Sequence, residues 1–152
     1  MKVETLKDVL QWTQKFHQYL SSCLQHCAAE NINERSRLLL NYLSQHEHHL
    51  EKLVEEAANN ASSNALNTWC QQYIDKHPIA IHQKCEEAYS SMSTVEISQV
   101  IFEQHRQLME LYRYLYSQAG APSAIALIAT LIELEEHEAM QMAKGANSLE
   151  DL

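Results

Sequence analysis

Only two glycines and two prolines occur in 152 residues, and that scarcity constrains the fold more than any other feature. A β-rich or α/β chain of this length needs many tight turns, and those turns draw on Gly and Pro. Long helices with few turns between them remain. Apolar residues make up 45% of the chain, enough for a continuous core without a disulfide framework. The expectation is one all-α domain over 1–152.

The periodicity places the helices. Over 5–29, Leu6, Leu10, Leu20, Leu24 and Cys27 lie on one stripe at three- and four-residue multiples, flanked by Val9, Phe16 and Cys23. A short polar turn, Glu30 to Asn33, then folds a second helix, 34–58, back on the first. Its stripe is read as Leu39, Leu43, Leu50, Leu53 and Ala57. Ser93 followed by Glu96 is a capping-box signal for a third helix over 94–118, with Ile97, Ile101, Leu108, Leu111 and Leu115 as its seam and Gly120 beyond its end. Pro122 opens a fourth, 122–144, which is expected to stop near Lys144 and Gly145 after the seam Ala124, Ile128, Leu131 and Met142. Between the second and third lies a connection, 59–93, with two short helical patterns around Leu66 to Ile74 and Ile79 to Tyr89. Four long helices of this kind predict an antiparallel four-helix bundle, with either a full-height crossover or a local excursion at 59–93. No internal repeat is long enough for a solenoid.

Charge narrows the partners. A formal net charge of −9 repels phosphate backbones and anionic lipid, and the basic residues form no cluster, so neither nucleic acid nor membrane is expected. The amphipathic start, MKVETLKDVLQWTQ, is unlike a secretory leader, and no apolar run reaches membrane-spanning length. A cytoplasmic protein is expected, with a homodimer as the prior for a small bundle. Of the four cysteines, Cys23, Cys27, Cys70 and Cys85, none forms a Cys-x-x-Cys pair. Cys23 and Cys27, one turn apart, are read as small buried thiols.

Titratable residues interrupt every seam. Advancing about 100° per residue puts His17 on the stripe of the first helix and His46 on that of the second, with His49 one turn on and also facing inward. His105 stands at the edge of the third helix's buried face, with Gln104 on the other edge. Glu135 and Glu138 share the stripe of the fourth helix, whereas Glu133, Glu136 and His137, despite the Glu-Glu-His string, point outward, as does Glu103. Glu47 is placed at the border of the second stripe, as a further ligand or a hydrogen-bond acceptor behind one. Tyr42 and Tyr112 border the same level and could orient ligands, although boundary packing with a wet hydroxyl is the commoner use of such tyrosines.

Each inward group sits near the middle of its helix, so all meet at one height. Left uncompensated, that burial would cost several kcal/mol per charged group. One compensation is a hydrogen-bonded network of His and Glu. The other is metal, because imidazoles and carboxylates converging from four helices suit divalent iron, manganese or zinc. The ligand set read from the sequence is His17, His46, His49, His105, Glu135 and Glu138.

Four long helices in two hairpins with central carboxylates and histidines resemble the ferritin-like di-iron proteins, rubrerythrin-like members included. That family carries Glu, Glu-x-x-His, Glu and Glu-x-x-His, one element per helix. Here the matching helices offer His17, His46-x-x-His49, His105 and Glu135-x-x-Glu138. The His-rich set is also similar to that of hemerythrin-like oxygen carriers, although their His-x-x-x-His and His-x-x-x-Glu spacings do not occur around this layer. The resemblance implies a non-haem dimetal protein that handles oxygen, peroxide or the metal itself; whether it is an enzyme stays open. The alternative is a non-catalytic interaction or dimerisation module whose buried polar network fixes register. Nothing supports nucleophilic catalysis or a phosphate-binding loop.

Overall fold

The computed structural model of the protein describes residues 3–70 and 89–150. Over these the chain is helical: α1 (Leu6–Glu30), α2 (Glu34–Asn60), the single turn α3 (Ser63–Leu66), a 3-10 turn at Tyr89–Ser91, α4 (Thr94–Gln118) and α5 (Pro122–Glu150). The β pairing among the described residues is limited to an isolated antiparallel bridge between Thr5 and Trp69. No helix among them is long and apolar enough to cross a membrane.

Local chemistry explains the boundaries. Thr5 and Ser93 cap α1 and α4, each accepting from the backbone N–H three residues on, where Asp8 and Glu96 return the bond to the cap backbone. Asn33 caps α2 through the N–H of Ser36. Pro122 occupies the first position of α5, where its missing N–H costs nothing.

The last helix corrects the expected stop near Lys144 and Gly145, for it continues to Glu150. Gly145 has no positive φ and caps nothing; a Cβ there would lie 2.2 Å from Cε1 and Cζ of Tyr42, so the missing side chain admits the Tyr42 ring between α2 and α5. The helical pattern expected from Leu66 is also revised: α3 ends at Leu66, and the next residues pair with the start of α1, through Leu6 N–H to the Thr68 carbonyl at 2.8 Å and Cys70 N–H to the Glu4 carbonyl at 2.7 Å. The rest of that pattern, and most of the one at Ile79 to Tyr89, lie outside the described residues. Cys27 and Cys70 are buried thiols. Cys23 is disulfide-bonded instead.

Contacts between helices set their directions. Ser21 meets Ser44 and His17 meets Glu47, so α1 and α2 run antiparallel. Tyr42 meets Gln141 and His46 meets Glu138, which makes α2 and α5 antiparallel. Thr13 meets Tyr112 while the His17 and His105 rings lie together, which does the same for α1 and α4. Leu6, Leu24, Leu39, Leu43, Leu50, Ile97, Ile101 and Leu131 fill the space between them, fully buried.

The two hairpins also share one register. The span Leu6–Glu30 of α1 becomes Thr94–Gln118 of α4, and the first residue of α2, Glu34, becomes Pro122 of α5, each by a shift of 88 residues (94 less 6, 122 less 34). The capping pairs Thr5 with Asp8 and Ser93 with Glu96 obey the same shift.

Candidate metal centre

Four side chains, one from each long helix, close into a ring at mid-height. His17 of α1 sets Nδ1 2.6 Å from Glu47 Oε2 and Nε2 2.6 Å from Glu135 Oε1. On the far side, His105 of α4 sets Nε2 against Glu47 Oε1 and Nδ1 3.5 Å from Glu135 Oε2. His and Glu alternate around the ring, and each carboxylate turns one oxygen to each imidazole. The shift of 88 residues that relates the hairpins carries His17 onto His105 and Glu47 onto Glu135. The ring is thus the meeting of two equivalent pairs about an approximate twofold.

All four groups are buried, and Phe16 covers one side, edge-on to His17 at 5.2 Å and to His105 at 6.3 Å between centroids. Above the ring, the buried Tyr112 hydroxyl donates to Thr13 Oγ1 at 2.9 Å, and Thr13 in turn donates to the Val9 carbonyl. Burial, with the Glu135 carboxylate adding to it, raises the pKa of Tyr112. The wet boundary hydroxyl expected for Tyr112 is therefore corrected to a buried, bonded one. Tyr42 is half-buried and its hydroxyl donates to the Gln141 carbonyl at 2.6 Å.

Electrostatics pull the protons onto the imidazoles. Burial alone would lower the pKa of His17, but the Glu135 and Glu47 carboxylates outweigh it and hold it at about 9. His105 follows the same balance, burial opposing and Glu47 leading the carboxylates, to reach about 10. Burial would raise Glu47, yet His105 and His17 bring it to about 2. Burial likewise opposes, and His17 leads, a lowered pKa at Glu135. Without an ion, the ring holds two imidazolium and two carboxylate groups and is neutral.

One edge of this ring is not closed. His105 Nδ1 and Glu135 Oε2 face each other at 3.5 Å, and neither has a hydrogen-bond partner among the described residues; Gln104 Oε1 is a third such buried atom. Two donor atoms on one ion with bonds of about 2.1 Å would stand about 3 to 3.5 Å apart; this edge has that spacing, whereas the 2.6 Å edges about His17 would have to open to admit an ion. Donor atoms of His17, Glu47 and His105 all lie within 4.8 Å of one another, and this buried group could hold a metal ion. The donor chemistry, nitrogen plus carboxylate oxygen, suits a divalent transition metal.

Three expected ligands lie outside the ring. Glu138 of α5 is buried, with Oε2 2.6 Å from His46 Nδ1 and Oε1 3.4 Å from His49 Nε2. The His46 side chain is 23% exposed and that of His49 57%, so the inward orientation expected for His49 is corrected. The cause is the rotation of α2. Its fully buried residues are Ser36, Leu39, Leu40, Leu43, Glu47, Leu50 and Val54, while Leu53 and Ala57, expected in the seam, are only half-buried. About that midline, at roughly 100° per residue, Glu47 lies about 30° away, His46 about 70° and His49 about 130°. Glu47, read from the sequence as a border residue, is therefore a member of the ring. The signal that could have found it was present, since Leu40 and Val54 shift the midline toward Glu47. On α5 the reading of phase agrees with the structure: Glu133, Glu136 and His137 are exposed and Glu135 and Glu138 buried. Compared with known proteins, the chain matches no family model, no curated protein and no solved structure.

Proposed function

We propose that the protein is a four-helix bundle of ferritin-like topology that binds divalent metal, iron or manganese before zinc, at the ring of His17, Glu47, His105 and Glu135. One observation carries this reading: each of two buried carboxylates presents its two oxygens to two different imidazoles. Glu47 and Glu135, with His17 and His105, would be the side chains that hold the metal. Bound there, such ions supply Lewis-acid and redox chemistry toward oxygen or peroxide. The chain's own part is to fix the donors from four rigid helices, to exclude bulk water through Phe16 and the apolar layers, and to hold protons on His17 and His105 until an ion replaces them. Were an ion held there, His17 and His105 would ligate it as neutral imidazoles, their protons passing to solvent.

Elemental analysis of protein purified without added metal, and again after anaerobic reconstitution with Fe(II) or Mn(II), tests the proposal. Up to two ions per chain are expected in the native protein. Glu135→Ala is expected to lose them, whereas His137→Ala, on the exposed face of α5, keeps them and changes stability by only a few tenths of a kcal/mol. A reconstituted native protein that holds no ion would overturn the reading. The second reading would then stand, that of a metal-free polar layer fixing helix register or pairing two copies. It is favoured by the two 2.6 Å bonds of His17, which satisfy both of its ring nitrogens with Glu47 and Glu135.

A further inference from the structure

The shift of 88 residues that superposes the ring residues fails at the next turn. Glu138 corresponds to Leu50, and Leu134 corresponds to His46. Next to the ring, one hairpin therefore offers a fully buried leucine, and the other a buried carboxylate joined to two histidines. Exposure rises in order along this chain, from Glu135 at 1% to Glu138 at 5%, His46 at 23% and His49 at 57%. Consecutive members are within reach of each other. Glu138 stands one turn from Glu135 on the same face of α5, where such side chains start about 5–6 Å apart. Its two oxygens meet His46 and His49 at 2.6 Å and 3.4 Å.

The first part of this chain is firmly built. The Tyr42 ring packs edge-on to His46 with centroids 4.5 Å apart, and its hydroxyl is bonded to the Gln141 carbonyl. The ring fits there because Gly145 has no side chain. At its inner end lie Glu135 Oε2 and His105 Nδ1, buried and 3.5 Å apart, neither with a hydrogen-bond partner among the described residues. A cation cannot cross an apolar wall bare, since the loss of hydration is worth tens of kcal/mol before relaxation. It needs donors at each step, and here they run from solvent through His49 and His46 to Glu138, one helical turn from Glu135.

Resting on the metal-binding reading, we propose that His49, His46 and Glu138 form the loading route of the ring: a relay that captures a divalent cation at the surface and passes it to Glu135 and His105, without holding it in the filled state. Their role is thereby kinetic. Removing a relay member slows filling, whereas removing a ring member abolishes it.

The test is rapid mixing of chelator-stripped protein with Co²⁺, followed by visible absorption, with the final stoichiometry measured after gel filtration. For Glu138→Gln, uptake at least tenfold slower is expected, with native stoichiometry at the end. His49→Ala, an exposed substitution that leaves the core untouched, should slow uptake about threefold, and His137→Ala should not slow it. Native uptake rates in both Glu138→Gln and His49→Ala would overturn the route and leave the site intact. Reduced final stoichiometry in Glu138→Gln at a native rate would overturn it as well, making Glu138 a retained ligand. Should Glu138→Gln fail to fold, the His49→Ala rate decides. A native protein that takes up no Co²⁺, Fe²⁺ or Mn²⁺ removes both proposals together.

Discussion

The α1–α2 and α4–α5 hairpins bring the same pair to the centre of the molecule and then diverge around it. His17 with Glu47 and His105 with Glu135 are equivalent by position and burial. Beside them, Phe16 corresponds to Gln104, Leu50 to Glu138, and His46 to Leu134. The first hairpin surrounds its pair with an aromatic ring and a leucine. In the second, an amide whose oxygen has no hydrogen-bond partner among the described residues and a carboxylate stand at those positions. Where the halves agree, they fix the ring; at Phe16 and Gln104, and at Leu50 and Glu138, the first half is apolar and the second polar, whereas at His46 and Leu134 the order reverses.

The two carboxylates offer the sharpest way to break that equivalence. Glu47 contacts both histidines at hydrogen-bond distance, whereas Glu135 closes on His17 but stands 3.5 Å from His105. Glu47→Ala leaves two buried imidazolium groups short of a partner, and the loss of one member of such a pair costs about 3–5 kcal/mol. Glu135→Ala should cost about 1–2 kcal/mol less, because one of its two contacts is not a made hydrogen bond. Urea unfolding of the metal-free variants measures both. Equal losses would mean that the unclosed edge contributes as much as the closed ones.

That contrast also shows how much of the site could be read from the chain. The four long helices were legible, because Gly and Pro are scarce and the three- and four-residue spacing runs through each segment. His17, His105, Glu135 and Glu138 were placed on buried faces by the same arithmetic, which depends only on where a seam's midline falls. Glu47 and His49 were exchanged because α2 carries apolar residues over a wide arc, and choosing Leu53 and Ala57 over Leu40 and Val54 turns the midline by about 45°. Gly145 misled for a different reason. A glycine near a helix end resembles a cap, and only the tertiary partner, Tyr42, shows that its purpose is space.

Acidity probes both halves of the ring at once, with an effect of intermediate size. His17 and His105 have pKa values raised from 6.5 to about 9 and about 10. Their contribution to folding is complete below about 6.5 and is lost as pH rises through 9 and 10, where the folded state gives up protons it held more tightly than the unfolded chain. Glu47, lowered from 4.5 to about 2, contributes fully above 4.5 and loses its contribution as pH falls toward 2. These are the same contacts seen from their two ends. The metal-free protein should therefore have a Tm plateau between about pH 4.5 and 6.5, and fall on the alkaline side by pH 10. If the ring binds metal as proposed, added metal should reverse the alkaline limb, because an ion would bind the neutral imidazoles and compete better as protons leave. Melting curves from pH 5 to 10, with and without Mn(II), would show the two opposite slopes; parallel curves would mean that the ions do not displace these protons.

The smallest effect tests the asymmetry at the α2–α5 contact, where Gly145 corresponds to Ala57 and Tyr42 to Thr130 in the repeated register. Adding a methyl group at 145 has two opposed consequences. A glycine inside a helix is worth about 0.5–1 kcal/mol less than alanine, so Gly145→Ala should stabilise α5 if nothing else changes. The new Cβ, however, would fall 2.2 Å from the Tyr42 ring, which must swing away and give up its bond to the Gln141 carbonyl and its packing on His46. A buried or half-buried hydrogen bond is worth about 0.5–1.5 kcal/mol, and with the lost packing the balance turns to a net destabilisation of about 1 kcal/mol. In a Tyr42→Ala background the clash is gone while the helix term remains, so the same Gly145→Ala change should stabilise by about 0.5–1 kcal/mol. Urea unfolding of the four proteins in this cycle gives the coupling directly. An unchanged sign in the Tyr42→Ala background would show that the glycine is retained for some reason other than the room it leaves for that ring.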